Sequence, residues 1–336
     1  MSNNLALGIA AVAAAAISAG LIVMLMPLLR RHAAALPNAR SSHRTPTPQG
    51  AGAAVIAATL AAIAVIAGLV QPSPVAASLW LVIAATVFIA LVGAVDDLRT
   101  IEVAPRLLLQ ICAVAVVIAS LPVEARIVSA IPWWIERAML LVACVWFVNL
   151  TNFMDGIDWM TAAEMVPVTV GLTVLGLLGA LPSDGTIVAL ALCGALIGFM
   201  PFNRPVARIF LGDVGSLPIG LLVAWLLVLL ALNGHLAAAL ILPLYYLADA
   251  TLTLAQRIVR GEPFWQAHRT HFYQRATDRG FTVLEVVGRV FAVNAGLIVL
   301  AVASVIWPVT AVALATLLCA AALVGWLLFS FVRGRT

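Results

Sequence analysis

Long apolar segments separated by short polar loops run through the whole chain. Spanning a bilayer takes about 20 apolar residues, and this pattern predicts eleven helices. We place them near residues 5–29, 50–71, 77–95, 106–121, 137–153, 163–181, 186–202, 214–232, 235–255, 290–307 and 309–331. Only Trp307 and Pro308 separate the last two, so ten helices is the alternative count. The pattern predicts an all-α, polytopic membrane helix bundle that forms a single transmembrane domain over residues 1–336.

The composition supports a membrane protein. Hydrophobic residues make up 64% of the chain and charged residues 10%, whereas soluble domains average about 45–50% and about 25%. The four cysteines lie far apart in apolar segments, without the spacing of a disulfide framework or a zinc motif. The chain has no dense basic run, so we expect no nucleic-acid partner.

Arginines are distributed unequally between the two ends of the predicted bundle. All 18 basic residues are arginines. Eleven helices put all of them at one end except Arg126 and Arg137. By the positive-inside rule the arginine-rich end is cytoplasmic, which puts the N-terminus outside and the C-terminus in the cytoplasm. The first apolar segment ends at Arg30-Arg31 and is longer than a signal peptide requires, so we expect a retained helix.

Side chains suited to chemistry concentrate in the loops of the arginine-rich end, near residues 30–49, 96–105, 152–162, 203–213 and 256–289. In the second of these loops, Asp96 and Asp97 end an apolar helix. Two adjacent carboxylates repel each other unless a cation lies close, and a helix C-terminus does not favour anions. We therefore predict a metal or phosphate role for this pair rather than a solvated helix end.

A row of polar side chains leads into the third loop. Asn149, Asn152 and Asp155 recur at every third residue, so on a helix they share roughly one face. Asp155-Gly156 then predicts a tight turn, with Asp158 beyond it. A merely polar helix end is the alternative interpretation.

The fourth loop ends in Gly212-Asp213-Val214-Gly215-Ser216, which opens another helix. Glycines let backbone N–H groups approach a ligand, and a helix N-terminus favours anions. Taken alone, an ordinary capped helix start explains this segment equally well.

The longest polar loop contains a compact cationic patch. His268, Arg269, His271 and Arg275 lie within eight residues, and such groups suit a diphosphate. Zinc binding by the two histidines is the alternative. The loop after the first helix contains Arg44, and as a bare segment it is equally typical of a linker.

Five carboxylates lie on three loops of one predicted face: Asp96, Asp97, Asp155, Asp158 and Asp213. Carboxylate oxygens suit Mg²⁺, which commonly links one or two carboxylates to substrate phosphates. Together with the cationic patch at the membrane surface, they predict that a soluble nucleotide diphosphate meets a phosphate anchored in lipid.

In their order from Pro37 to Arg275, these motifs resemble the polyprenyl-phosphate N-acetylhexosamine-1-phosphate transferase family over nearly the whole chain. The resemblance implies transfer of N-acetylhexosamine 1-phosphate from a UDP-N-acetylhexosamine to undecaprenyl phosphate, with release of UMP. It implies Mg²⁺, or Mn²⁺ in its place, as cofactor. It also implies a multi-pass protein of the bacterial inner membrane with its active site on the cytoplasmic face, and it leaves a homodimer open.

The resemblance and the loop chemistry together assign roles to individual residues. The catalytic set is Asp96, Asp97, Asp155, His268, Arg269 and His271. The substrate-binding set is Asn149, Asn152, Gly156, Ile157, Asp158, Asn203, Phe210, Arg44 and Arg275, with residues 156–158 and Phe210 against uracil. Asp213 binds the metal ion together with Asp97.

Several residues depart from the family pattern. Trp159 stands where the family has glycine, and Gln49 and Ala51 interrupt a basic, glycine-rich stretch. His268 and His271 lack the third histidine of the enzyme that uses UDP-muramoyl-pentapeptide. These departures favour an initiator of O-antigen or another surface polysaccharide over the peptidoglycan branch.

A polytopic transporter is the alternative function. Transporters hold polar groups near the bilayer midplane, and Asp249 is the deepest acid that the pattern identifies. A single acid is thin support for a transport pathway.

Overall fold

The computed structural model describes residues 3–35, 46–70, 77–263 and 268–335. Two short strands, β1 (Ala34–Ala35) and β2 (Thr47–Pro48), pair antiparallel after the first helix. Within the described residues the helices are α1 (Asn3–His32), α2 (Gly52–Val70), α3 (Ala77–Leu98), α4 (Val103–Ala119), α5 (Trp133–Met154), α6 (Met160–Leu177), α7 (Ser183–Phe199), α8 (Asp213–Leu232), α9 (Leu236–Ile241), α10 (Leu244–Val259), α11 (Phe272–Asp278), α12 (Val283–Ile306) and α13 (Thr310–Arg333).

Each predicted span has a helical counterpart, and the all-α polytopic class is confirmed. The segment 235–255 is two helices rather than one, because Pro243 has no N–H to continue the ladder and its ring crowds the preceding turn. Trp307 and Pro308 do separate α12 from α13. In the described part of the chain, seven helices are long and apolar enough to cross a membrane, and three more are shorter and apolar. The count of eleven spans stays a prediction.

Helix α8 lies at the centre of the bundle. In the 18-residue apolar stretch of α8, 94% of the residues are buried inside the protein. The corresponding shares are 22% in α1 and 28% in α13. It packs against α2, α3, α5 and α9. A helix that is apolar on every side is buried by protein or lipid. In this protein α8 is enclosed by other helices, while α1 and α13 present most of their surface outward.

Glycines bring two neighbouring helices onto the start of α8. A Cβ atom on Gly93 of α3 would overlap the backbone of Asp213 and Val214. Gly52 of α2 faces Gly215 of α8 just as closely. Because these residues lack side chains, the polar ends of α2 and α3 lie directly against the N-terminus of α8.

We expect Gly93→Ala to destabilise the protein. At a helix position with free space around it, alanine is more favourable than glycine by about 1 kcal/mol. At position 93, however, the methyl group of alanine must displace the α8 backbone. If the free energy of unfolding falls by about 2 kcal/mol, the thermal midpoint of the purified protein in detergent should fall by about 5 °C. Gly288→Ala and Gly325→Ala are matched controls, because nothing lies within 4 Å of a Cβ added at either glycine. A Gly93→Ala protein as stable as these controls would contradict the close approach.

Candidate active site

Asp97 at the end of α3 caps the N-terminus of α8. Its Oδ1 accepts a hydrogen bond from the N–H of Asp213 (2.9 Å), and its Oδ2 accepts one from the N–H of Val214 (3.1 Å). The first N–H groups of a helix have no partner within that helix, and the residue before α8 is Gly212, which has no side chain to cap it. The cap therefore comes from another helix and holds Asp213 beside Asp97.

Arg106 lies between the two other acids of this end. It donates to Oδ2 of Asp96 (2.7 Å), and its guanidinium lies 3.7 Å from Oδ2 of Asp213. Asp96 also accepts from the N–H of Ile101 (2.6 Å). From the sequence alone, Arg106 is only a topology signal. The available clue was an arginine at the start of the helix that follows the aspartate pair.

Asn152 and Asn149 have different surroundings. Asn152 donates to Oδ1 of Asp213 (2.7 Å) and to the hydroxyl of Ser216 (3.0 Å). Asn149 instead donates to Oε1 of Gln110 in α4 (2.7 Å). The structure therefore brings Asn152 to the acids and turns Asn149 toward a helix contact. We call Asp96, Asp97, Asp213, Arg106 and Asn152 the acidic cluster.

The turn after α5 adds two more carboxylates. Asp155 accepts a hydrogen bond from the hydroxyl of Thr161. Burial, together with the nearby charges of Asp97 and Asp158, raises the pKa of Asp155 to about 7, although the hydrogen bond from Thr161 lowers it. Asp158 is buried and accepts from the N–H of Ala207 (2.9 Å), so it also anchors the loop before α8.

Trp159 has a left-handed backbone with a φ of 63°, which glycine adopts freely and other residues adopt at a cost. Its N–H donates to Oδ1 of Asn203 (2.8 Å), and its indole N–H donates to the carbonyl of Met200 (2.7 Å). Asn203 continues the connection by donating to the carbonyl of Ile209 (2.9 Å). Trp159 thus keeps the turn that a glycine would make and ties it to the loop before α8.

The other residues expected at the uracil pocket differ in exposure. Ile157 is buried in the core, whereas Gly156 is exposed and Phe210 is half-buried. The backbone N–H of Phe210 donates to the carbonyl of Pro48 (2.8 Å). Gln49 is the residue after Pro48, and its side-chain amide donates to the carbonyl of Asp97 (3.0 Å). Arg44 lies outside the described residues.

The histidine loop, residues 268–275, rests on the turn after α5. The hydroxyl of Tyr273 donates to the carbonyl of Phe153 (3.3 Å), and a Cβ on Gly156 would overlap that hydroxyl. His271 is 3% exposed, and its ring lies 4.9 Å from that of His268. The loop that carries both histidines is therefore in contact with the turn that carries Asp155 and Asp158.

The arginines of the histidine loop have partners within their own segment. Arg269 pairs with Asp278 (3.1 Å), and the guanidinium of Arg275 lies 5.6 Å from the centre of the Phe272 ring. Both would have to change partners to reach a diphosphate.

The partner of His271 is a second functional residue that no sequence motif identifies. Nδ1 of His271 lies 3.1 Å from Oδ1 of Asp249, which is fully buried. From the sequence alone, Asp249 is only the acid that supports the transporter alternative. Its spacing from His271 gave no signal, because the two residues lie on separate helical segments.

The side chains of the acidic cluster that could bind a metal ion offer carboxylate and amide oxygens. Within the described residues, no three His, Cys, Asp or Glu side chains form a group that could hold a metal ion by themselves. A Mg²⁺ ion typically uses one or two protein carboxylates and takes its other ligands from water and substrate phosphates. The arrangement thus fits a divalent cation that arrives with a phosphorylated substrate.

The sequence matches glycosyl transferase family 4 over residues 79–231, a segment that includes the acidic cluster. It is 25% identical to a probable undecaprenyl-phosphate N-acetylglucosaminyl 1-phosphate transferase of Bacillus subtilis, over 82% of this chain and 81% of that protein. It is 27% identical to a decaprenyl-phosphate N-acetylglucosaminephosphotransferase of Mycobacterium leprae, over 58% and 54%. It is 32% identical to a phospho-N-acetylmuramoyl-pentapeptide-transferase of Leuconostoc mesenteroides, over 41% and 48%. The chain spans about half the length of the last two relatives.

The raised pKa of Asp155 predicts a pH-dependent stability. An aspartate in an unfolded chain has a pKa of about 3.9, so between about pH 4 and about pH 7 the folded protein binds a proton that the unfolded chain has lost. The free energy of unfolding then falls as the pH rises through this range. Asp155→Asn removes this dependence, so its thermal midpoint relative to the wild type should rise from about pH 5 to about pH 8.

The measurement is thermal unfolding of the purified protein in EDTA across this pH range. Thr161→Val is the companion variant. It removes a hydrogen bond that lowers the pKa of Asp155 and should extend the dependence to higher pH. A difference between Asp155→Asn and the wild type that stays constant with pH would show that the carboxyl has an ordinary pKa.

Proposed function

We propose that this chain, which matches glycosyl transferase family 4 over residues 79–231, transfers an N-acetylhexosamine 1-phosphate from a UDP-sugar to undecaprenyl phosphate. The protein is a multi-pass membrane phosphoglycosyltransferase. The observation that carries the proposal is the acidic cluster, in which Asp96, Asp97 and Asp213 meet Arg106 at one end of an apolar bundle. A soluble donor and a lipid-anchored acceptor can both reach such a position.

The protein's own groups suit a phosphate that attacks a diphosphate. An oxygen of the lipid phosphate would form a bond to the β-phosphorus, and the bond from that phosphorus to the bridging oxygen would break, so that UMP leaves. A phosphate monoester has its second pKa near about 6, so the nucleophile is already largely ionised and a dedicated base is not required. Phosphoryl transfer depends mostly on positioning and charge neutralisation, which Arg106 and the helix caps can provide.

Asp213, with Asp97 beside it, would hold Mg²⁺ or Mn²⁺. The ion supplies neutralisation of the diphosphate charge when bound. Asn152 and Arg106 fix the Asp213 carboxylate from two sides, and Arg106 orients Asp96. Asp96 therefore acts as an orienting group for the lipid phosphate rather than as an obligatory base.

The loops around the acidic cluster would bind the donor. Gly156, Asp158 and Phe210 would line the uracil site. Ile157 and Asn203 are buried and would support these residues from the protein interior. His268 and His271, joined by Arg269 and Arg275, would face the sugar diphosphate. We assign Asp155 to the sugar-phosphate side, because the charges of Asp97 and Asp158 act on its pKa.

Location and pathway follow from the same reasoning. The arginine distribution supports an inner-membrane protein with the acidic cluster on the cytoplasmic face. The histidine loop, with two histidines rather than three, favours a UDP-N-acetylhexosamine without a peptide. The product would start O-antigen or another cell-surface polysaccharide.

The transporter alternative loses its main support. Asp249 receives hydrogen bonds from the histidine loop, and the equally buried Glu164 receives one from Asn294 (2.7 Å). Both acids are thus bound by protein groups rather than arranged along a pathway.

Asp213→Asn should abolish turnover, because it removes half of the charge that Asp213 and Asp97 present to a cation. We expect UMP release from a UDP-N-acetylhexosamine and undecaprenyl phosphate to fall by about 100-fold or more. Asp184→Asn is the matched control, since Asp184 lies in the first turn of α7, at the opposite predicted face. Full activity of the Asp213→Asn protein would refute the metal role.

A substrate panel tests the reaction itself. We expect lipid-linked sugar phosphate and UMP from at least one of UDP-GlcNAc and UDP-GalNAc, and neither product from UDP-muramoyl-pentapeptide. EDTA should stop the reaction and Mg²⁺ should restore it. Uptake of a radiolabelled UDP-sugar by reconstituted vesicles without UMP release would favour the transporter instead.

A further inference from the structure

We infer that Asp249 is a positioning residue that orients His271 and holds the histidine loop in place around it. The inference rests on the proposed function and deepens it, because it identifies what orders the loop expected at the sugar diphosphate. Asp249 lies in α10, whereas the loop leads into α11, so the contact joins two segments on either side of the polar stretch after α10.

Three donors of the loop converge on one carboxylate. Oδ1 of Asp249 accepts from the N–H of Phe272 (3.0 Å) and lies 3.1 Å from Nδ1 of His271. Oδ2 accepts from the N–H of Tyr273 (3.2 Å). Phe272 and Tyr273 are the first residues of α11, whose N–H groups have no partner within the helix. One side chain thus satisfies the start of α11 and also holds the adjacent imidazole.

The contact fixes which nitrogen of His271 is turned away from Asp249. A carboxylate oxygen accepts, so Nδ1 of His271 carries the proton, and Nε2 remains for other partners. The ring is also held between that of His268, 4.9 Å away, and that of Tyr273, which stacks at 5.7 Å. The ring of His271 is therefore held in one orientation and one tautomer.

The buried charge and the order of the loop depend on each other. Asp249 is fully buried, and in the described part of the chain His271 is its one basic partner within 4 Å. A buried carboxylate is tolerated only when hydrogen bonds replace its water. Two further donors, the hydroxyls of Tyr245 (3.2 Å) and Thr253 (3.3 Å), come from α10 itself. The loop contributes the remaining three donors, so displacing it would leave the charge poorly compensated.

The loop transmits this placement to the candidate active site. Tyr273, which Asp249 holds by its N–H, contacts the carbonyl of Phe153 and lies against Gly156. The described contacts of Asp249 include none with the acidic cluster. Asp249 would therefore act on turnover through the loop, and the hydroxyl donors of α10 should matter much less.

Kinetics of matched variants test the inference. Asp249→Asn keeps the shape of the side chain but puts an amide donor where the carboxylate accepts. We expect kcat to fall about 10–100-fold, as for carboxylates that orient histidines elsewhere, with the KM for undecaprenyl phosphate unchanged. Thr253→Val and Tyr245→Phe remove donors of α10 only and should retain wild-type kcat. Equal losses in all three variants would overturn the inference.

A double-mutant cycle separates positioning from general destabilisation. If Asp249 acts through His271, adding Asp249→Asn to a His271→Gln protein should lower kcat by much less than it does in the wild type. Multiplying losses would show that the two residues act independently and would overturn the inference.

Hydrogen–deuterium exchange tests the loop without any turnover. Peptides covering residues 268–275 should exchange faster in Asp249→Asn and at the wild-type rate in Thr253→Val. If the wild type releases no UMP from any UDP-sugar, the proposed function fails while this measurement still decides on Asp249. Unchanged exchange in Asp249→Asn would overturn the positioning role even in an active enzyme.

Discussion

Carboxylates that cap backbone N–H groups of another segment hold the polar end of this protein together. Asp97 of α3 caps α8, Asp249 of α10 caps α11, and Asp158 binds the N–H of Ala207 in the loop before α8. Helix starts leave N–H groups without partners, and at a membrane surface with little water those groups are costly to leave unsatisfied. Each cap therefore stabilises a helix start and also fixes one loop relative to a distant helix.

The same contacts assemble the chemistry. Asp213 is held beside Asp97 because Asp97 caps the helix that Asp213 begins, and the side-chain-free Gly93 allows the two helices to lie that close. Arg106 then offsets the repulsion between Asp96 and Asp213. An arrangement of carboxylates with one guanidinium remains anionic enough for a divalent cation and rigid enough to position phosphates. Structure and proposed catalysis use the same side chains.

Much of the site could be foreseen, and the exceptions have physical causes. Asp97 and Asp213 were expected together because their loops lie on one predicted face, and Asn152 because its row of polar residues leads into another of those loops. Asn149 shares a face with Asn152 by periodicity, yet its neighbour is Gln110, and no local rule identifies the partner helix. Arg106 and Asp249 were missed because their contacts with Asp213 and His271 join separate helical segments.

By itself, the sequence determined that the chain is an all-α membrane protein, and it predicted the candidate reactive side chains in the loops of one end. A segment that spans lipid must be a long apolar helix, and this requirement is visible in the local sequence of each span. Only the tertiary structure decided that α8 is the enclosed helix, that Pro243 divides α9 from α10, and that Trp159 keeps a left-handed turn through Asn203 and Met200. These outcomes depend on which surfaces meet, and apolar periodicity is nearly the same for a helix that faces lipid and a helix that faces protein.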